Sequence, residues 1–136
     1  MRLFRWHYRW RFKILPAIRK SKVLFIHIPK TGGTSIWRAL HGKFPVQHYT
    51  YKEWEGILGD LSEYTVVAVR RDDTERLLSA QEYMMSDRVH SLLHFYPSNH
   101  FVDFEQCDIV LAFNNLEQEC LDKLGLRIGH LNSSAS

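Results

Sequence analysis

The sequence predicts an α/β fold, a three-layer sandwich around a mostly parallel central sheet. Three observations predict it. Strand-like and helix-like stretches alternate along the chain, the order that places helices on the faces of a parallel sheet. The first strand candidate is short, β-branched and apolar almost throughout, as strands buried on both faces are. The 136 residues are 45% apolar and 24% charged, which suits one globular domain with one core.

Each element follows from local pattern. Residues 1–20 form a basic, aromatic amino-terminal segment with a period of two. Phe4, Trp6, Tyr8, Trp10, Phe12 and Ile14 lie on one side, and Arg5, His7, Arg9, Arg11 and Lys13 on the other. That is an amphipathic strand, ended by Pro16. Val23 to Ile28 reads as the first buried parallel strand. Ser35 to His41 follows as a helix broken at Gly42, and Tyr51 to Leu58 as a second. Thr65 to Val69 is the next strand and runs straight into Arg70-Arg71-Asp72-Asp73. Thr74 to Met85 shows helical spacing at Leu77, Leu78, Gln81, Met84 and Met85, with Asp72 or Asp73 as its cap. Asp108 to Phe113 is the third strand. It feeds a helix from Asn115 to Leu124 with Leu116, Cys120, Leu121 and Leu124 inward and Gly125 at its stop. A single domain over 1–136 is expected, with its core at 22–131 and a frayed tail at 132–136.

Charge is unevenly divided. Residues 1–52 hold 12 of the 18 lysines and arginines and none of the 15 acidic residues. Two readings stay open: the amino-terminal part sits in a positive field suited to an anionic ligand, or the two halves neutralise each other across the fold. A nucleic-acid binder is not expected, because the second half is acidic and no reader motif is present. Two cysteines, Cys107 and Cys120, are too few for a disulfide scaffold. The apolar runs are too short to span a membrane, and no apolar signal-peptide core follows the first arginines. The expectation is a cytoplasmic or otherwise soluble protein. His90, His94 and His100 with Cys107 lack a recognised zinc spacing, so no metal is expected, and these histidines are read as lining a rim of the site or as solvated.

The turn after the first strand, Pro29-Lys30-Thr31-Gly32-Gly33-Thr34-Ser35, carries the chemistry. Two glycines let the backbone bend tightly and bring its N–H groups close to an anion. The following helix points its first amides and positive dipole end at the same spot. Lys30, Thr31, Thr34 and Ser35 add a charge and hydroxyl donors. This is a phosphate cradle, P-loop-like in place but not a Walker A loop, since the lysine precedes the glycines. Arg71, leaving the second strand, and Ser79, on the next helix, offer a second anion site at a neighbouring strand end.

The stretch Phe25 to Ser35 resembles the 5′-phosphosulfate loop of carbohydrate sulfotransferases of the heparan sulfate 2-O/6-O class, which use 3′-phosphoadenosine 5′-phosphosulfate (PAPS). Val69 to Ala80 resembles the same family's 3′-phosphate segment, with Asp73 where a proline is usual and Gln81 where an aromatic is common. Asp108 to Glu117 resembles its late strand and "Phe-Glu-Asn-Leu" stretch, with Asn114 in the glutamate's place. His130 to Ser134 resembles its "Pro-His-Leu-Asn-x-Ser" segment.

The resemblance implies sulfuryl transfer from PAPS to an acceptor hydroxyl, with carbohydrate as the family's acceptor class and adenosine 3′,5′-bisphosphate as the released product. It assigns Lys30 to the leaving 5′-phosphate oxygen and the amides of Gly32, Gly33, Thr34 and Ser35 to the 5′-phosphate. Arg71 and Ser79 fall to the 3′-phosphate. Gln47-His48-Tyr49-Thr50 resembles the "His-x-Thr" stretch that holds a catalytic base, which makes His48 the preferred base, with Glu53 and Glu55 as fallback carboxylates. His27, in a buried strand, is expected to be a hydrogen-bonded core residue. Two alternatives stay open: a non-catalytic PAPS-fold module that binds nucleotide or polyanion, and a small P-loop kinase. Oligomeric state is open as well.

Overall fold

The computed structural model of the chain describes residues 14–42, 47–85 and 92–128. The amino-terminal strand as far as residue 13, His90, and the segment from His130 to the tail lie outside the described residues. The centre is a three-stranded parallel sheet in the order β1 (Val23–Phe25), β2 (Thr65–Arg70), β3 (Ile109–Ala112). Leu24 pairs with Val66 on one side of β2, and Ala68 with Val110 on the other. Val66, Val67, Ala68 and Val69 are all buried. Successive side chains point to opposite faces of a sheet, so both faces of β2 are covered, as in a sandwich of helices about a sheet.

Among the described residues six α-helices flank it: α1 (Leu15–Ser21), α2 (Thr34–His41), α3 (Tyr51–Leu58), α4 (Asp73–Met85), α5 (Ser98–Phe101) and α6 (Leu116–Leu124). The core gathers Leu24, Phe25, Ile26 and Ile28 with Ile36 and Trp37 of α2 and Trp54 of α3. Helix α3 begins on a capping box: Thr50 accepts from the Glu53 amide, and the Glu53 carboxylate accepts from the Thr50 amide. Glu53, a fallback base by sequence, is thus occupied as a cap. Asp72 caps α4 by accepting from the Glu75 amide, and Gly125 closes α6 at φ +66° as expected.

The outward edges of the sheet are covered by helix side chains. On β1 the Phe25 amide donates to His41 Nε2 at 3.2 Å. On β3 the Ala112 amide donates to Glu119 and the Val110 carbonyl accepts from Lys123. Unpaired strand groups invite pairing with other chains, and these side chains take their place.

Four expectations need correction. Pro16 opens a helix rather than ending a strand, because in the first turn its missing N–H costs no hydrogen bond. β1 stops at Phe25, three residues early: after the Ile26 amide bonds Val67, the chain leaves the sheet. On α4, Leu77, Leu78 and Met84 face solvent, while Arg76 and Ala80 are buried. On α6, Leu121 is exposed although Leu116 and Cys120 are inward.

Candidate active site

The segment leaving β1 gives up its strand partner, and its carbonyls are satisfied by side chains instead. The His27 carbonyl accepts from His48 Nδ1 at 2.9 Å, Ile28 from the Thr31 hydroxyl at 2.7 Å, Pro29 from Arg76 Nε at 2.9 Å and Lys30 from Arg71 at 2.8 Å. Four consecutive carbonyls are therefore held by side chains, three of them from outside the loop. The backbone that follows alternates in sign: Lys30 has φ +62°, Gly32 +71° and Gly33 −81°, and Thr31 is not among the positive-φ residues. Such alternation turns successive N–H groups to one side and makes an anion-binding concavity, here continuous with the first turn of the eight-residue α2.

Gly32 needs its glycine for the positive φ. Gly33 needs it for space, since a Cβ there would lie 2.4 Å from His27 Cδ2. Both glycines are buried, and Thr34 and Ser35 are half-buried at the start of α2. The Thr31 hydroxyl is turned inward onto Ile28, so what Thr31 offers an anion is its amide.

The turn between β2 and α4 braces this loop. Arg71 reaches the Lys30 carbonyl, lies 3.6 Å from Glu75, and stacks on the Phe113 ring at 4.0 Å. Phe113 also backs Gly32. The three strand ends therefore meet at the carboxyl edge of the sheet, where ligands of such sheets bind. Arg76 is fully buried and donates to Pro29, to the Asp73 carboxylate and to the Tyr96 carbonyl. Asp73 also accepts from the amide and hydroxyl of Ser98. Burial pushes the Asp73 carboxyl up, but the bonds from Arg76 and Ser98 outweigh it and hold it below its ordinary range. Its charge is thus neutralised within the protein. Ser79 is half-buried on α4, three residues beyond Arg76 and on the same side of the helix. A cleft of about 600 Å³ opens beside the turn, where Arg70 and Arg71 face Asp72, Asp73 and Asp103.

On the other side of the loop stands a cluster of rings. Lys30 is fully buried, with its ammonium 4.3 Å from the centre of the Tyr83 ring. Tyr83 stacks on His94, His94 meets His48 edge-on with centroids 5.6 Å apart, and His48 bonds His27. Lys30 and His48, singled out separately in the sequence, thus belong to one continuous cluster. Burial lowers the His48 pKa to about 4, with the charges of His94 and Arg76 acting the same way, so its imidazole is neutral at physiological pH. Burial first, and then the neighbouring His48, His94 and Lys30, lower His27 well below its ordinary value.

Sequence reasoning missed Arg76 and Tyr83 as parts of this site. Tyr83 carried a faint signal, lying seven residues beyond Arg76 on what is the inward side of α4. His94, expected at a rim of the site or in solvent, is buried against His48, 46 positions away. His94 and His100 diverge: His100 is exposed and packs on Tyr96 and Phe101. Among the described residues no group of three or more histidine, cysteine or acidic side chains is placed to hold a metal ion, and no helix is long and apolar enough to cross a membrane. Comparisons of the chain with protein-family models, with curated proteins and with solved structures gave no match.

Proposed function

We propose that this chain is a PAPS-dependent sulfotransferase that transfers a sulfuryl group to an acceptor hydroxyl, of the carbohydrate class that its sequence motifs imply. One observation carries the reading: the alternating backbone of residues 30–33 opens onto the start of α2, with Lys30 and a neutral histidine gathered beside it. The amides of Gly32 to Ser35 suit a 5′-phosphate.

PAPS, when bound, supplies the sulfuryl group. The chain's own contribution is placement and electrostatics, as in phosphoryl transfer. Lys30, steadied on the electron-rich face of Tyr83, neutralises charge growing on the departing phosphate oxygen. His48 takes the proton of the attacking hydroxyl, a task that requires the neutral imidazole. Arg71 and Ser79 serve the 3′-phosphate. Arg71 does so while bracing the Lys30 carbonyl, so loop order and 3′-phosphate binding are coupled through one side chain.

The test is a thermal-shift comparison of adenosine 3′,5′-bisphosphate against ATP with magnesium. Stabilisation by the bisphosphate alone, lost in Arg71→Ala, is expected; equal stabilisation by ATP would favour a kinase. In a sulfation assay Lys30→Ala should lower turnover more than donor affinity, and His48→Ala should lower turnover with donor affinity nearly intact. Bisphosphate binding without turnover in the unaltered chain would favour the non-catalytic module.

A further inference from the structure

The contact between His27 and His48 restricts where protons can sit. His48 Nδ1 lies 2.9 Å from the His27 backbone carbonyl and 2.9 Å from His27 Nδ1. A carbonyl only accepts, so the proton must be on His48 Nδ1. His27 Nδ1 is then the second acceptor and carries a lone pair. In a neutral, fully buried ring, the His27 proton must be on Nε2. That nitrogen is buried without a hydrogen-bond partner among the described residues, with the ring wedged against Gly33 of the phosphate loop. The two imidazoles therefore hold opposite tautomers.

We propose that His27 is a positioning residue: through its carbonyl and its ring Nδ1 it locks His48 as the Nδ1–H tautomer and so makes Nε2 the atom that receives the acceptor's proton. The proposal rests on the reading of His48 as base and adds the atom, the tautomer and the residue that sets them. When the hydroxyl proton moves to Nε2, His48 becomes an imidazolium whose Nδ1–H still points at the His27 carbonyl, which stabilises the new positive charge. The same His27 ring fills the space beside Gly33, so one side chain fits the base to the loop that holds the donor phosphate.

The experiment is long-range ¹H–¹⁵N correlation of the histidine rings in the full chain at neutral pH, with His48→Gln and His27→Phe assigning the signals. His48 should show a pyrrole-type Nδ1 and a pyridine-type Nε2, and His27 the reverse. A protonated Nε2 on His48, or one tautomer shared by both rings, overturns the proposal. His27→Phe keeps the backbone carbonyl and a ring of similar size but removes the second acceptor, so the Nε2–H form of His48 should appear alongside the Nδ1–H form. With it, turnover should fall about tenfold, as loss of a group that orients a functional histidine typically does, while donor affinity stays within about twofold. His27→Asn, whose side-chain oxygen can accept near the old Nδ1, should restore the single tautomer and most of the turnover. An unchanged tautomer and unchanged turnover in His27→Phe would overturn the positioning role. Opposite tautomers in a chain with no sulfuryl transfer would sink the proposed reaction and leave the lock standing.

Discussion

At Gly33 a single hydrogen atom decides how the site is built. Its φ of −81° is open to any residue, so backbone freedom does not explain the glycine. Space does: a Cβ would meet His27 Cδ2 at 2.4 Å and Phe25 Cζ at 2.8 Å, both on rings packed in the core. Gly33→Ala should therefore cost about 1–3 kcal/mol as an overpacked core does, read from the urea midpoint. Because the displaced ring is His27, the bisphosphate-induced thermal shift should shrink as well. Gly56, within α3, is the control. A Cβ there meets nothing within 4 Å and its φ is not positive, so Gly56→Ala should stabilise by up to about 1 kcal/mol. A loss at Gly56 equal to that at Gly33 would show that local crowding is not the cause.

At the level of elements, the order and type of β1 to β3 and of α2, α3, α4 and α6 were legible, because each depends on neighbours along the chain, whereas α1 was not. The β-branched runs, the Thr50 cap and the Gly125 stop are local chemistry. The loop was legible too, since two glycines after a buried strand leave few structural options. The inward face of α4 was not. Periodicity scores Leu77, Leu78 and Met84 as a core stripe, and nothing local reveals that Arg76 is buried by three acceptors at Pro29, Asp73 and Tyr96, two of them at least 20 residues away. The inversion is testable. Arg76→Met should destabilise by about 1–3 kcal/mol, since it leaves the Pro29 and Tyr96 carbonyls without their donor, while the partly exposed Asp73 carboxylate keeps its bonds from Ser98. Leu78→Ser, at a solvent-facing position, should stay within about 0.5 kcal/mol. The reverse ranking in chemical denaturation would restore the face that periodicity predicts.

At the scale of the whole molecule, the buried histidines tie stability to pH. His41 and His48 are both lowered to about 4 by burial, and His27 is lowered as well. Unfolded, each would titrate near 6.5. Between those values the unfolded chain binds protons that the folded chain refuses, so stability rises with pH across that window and is lost as pH falls from about 6.5 towards about 4. The loss has a structural focus. A proton on His41 Nε2 would face the Phe25 amide it now accepts from, opening the edge of β1. A proton within the His27–His48 pair would add charge beside His94 and Lys30. Going from pH 7 to pH 5 should cost on the order of 2 kcal/mol for each of His41 and His48, a large share of a typical domain's stability. Urea titrations at the two pH values measure it directly, and His41→Gln, which keeps an acceptor that does not titrate, should remove one histidine's share of the difference. A pH difference unaltered by that substitution would mean that the edge of β1 does not carry the linkage.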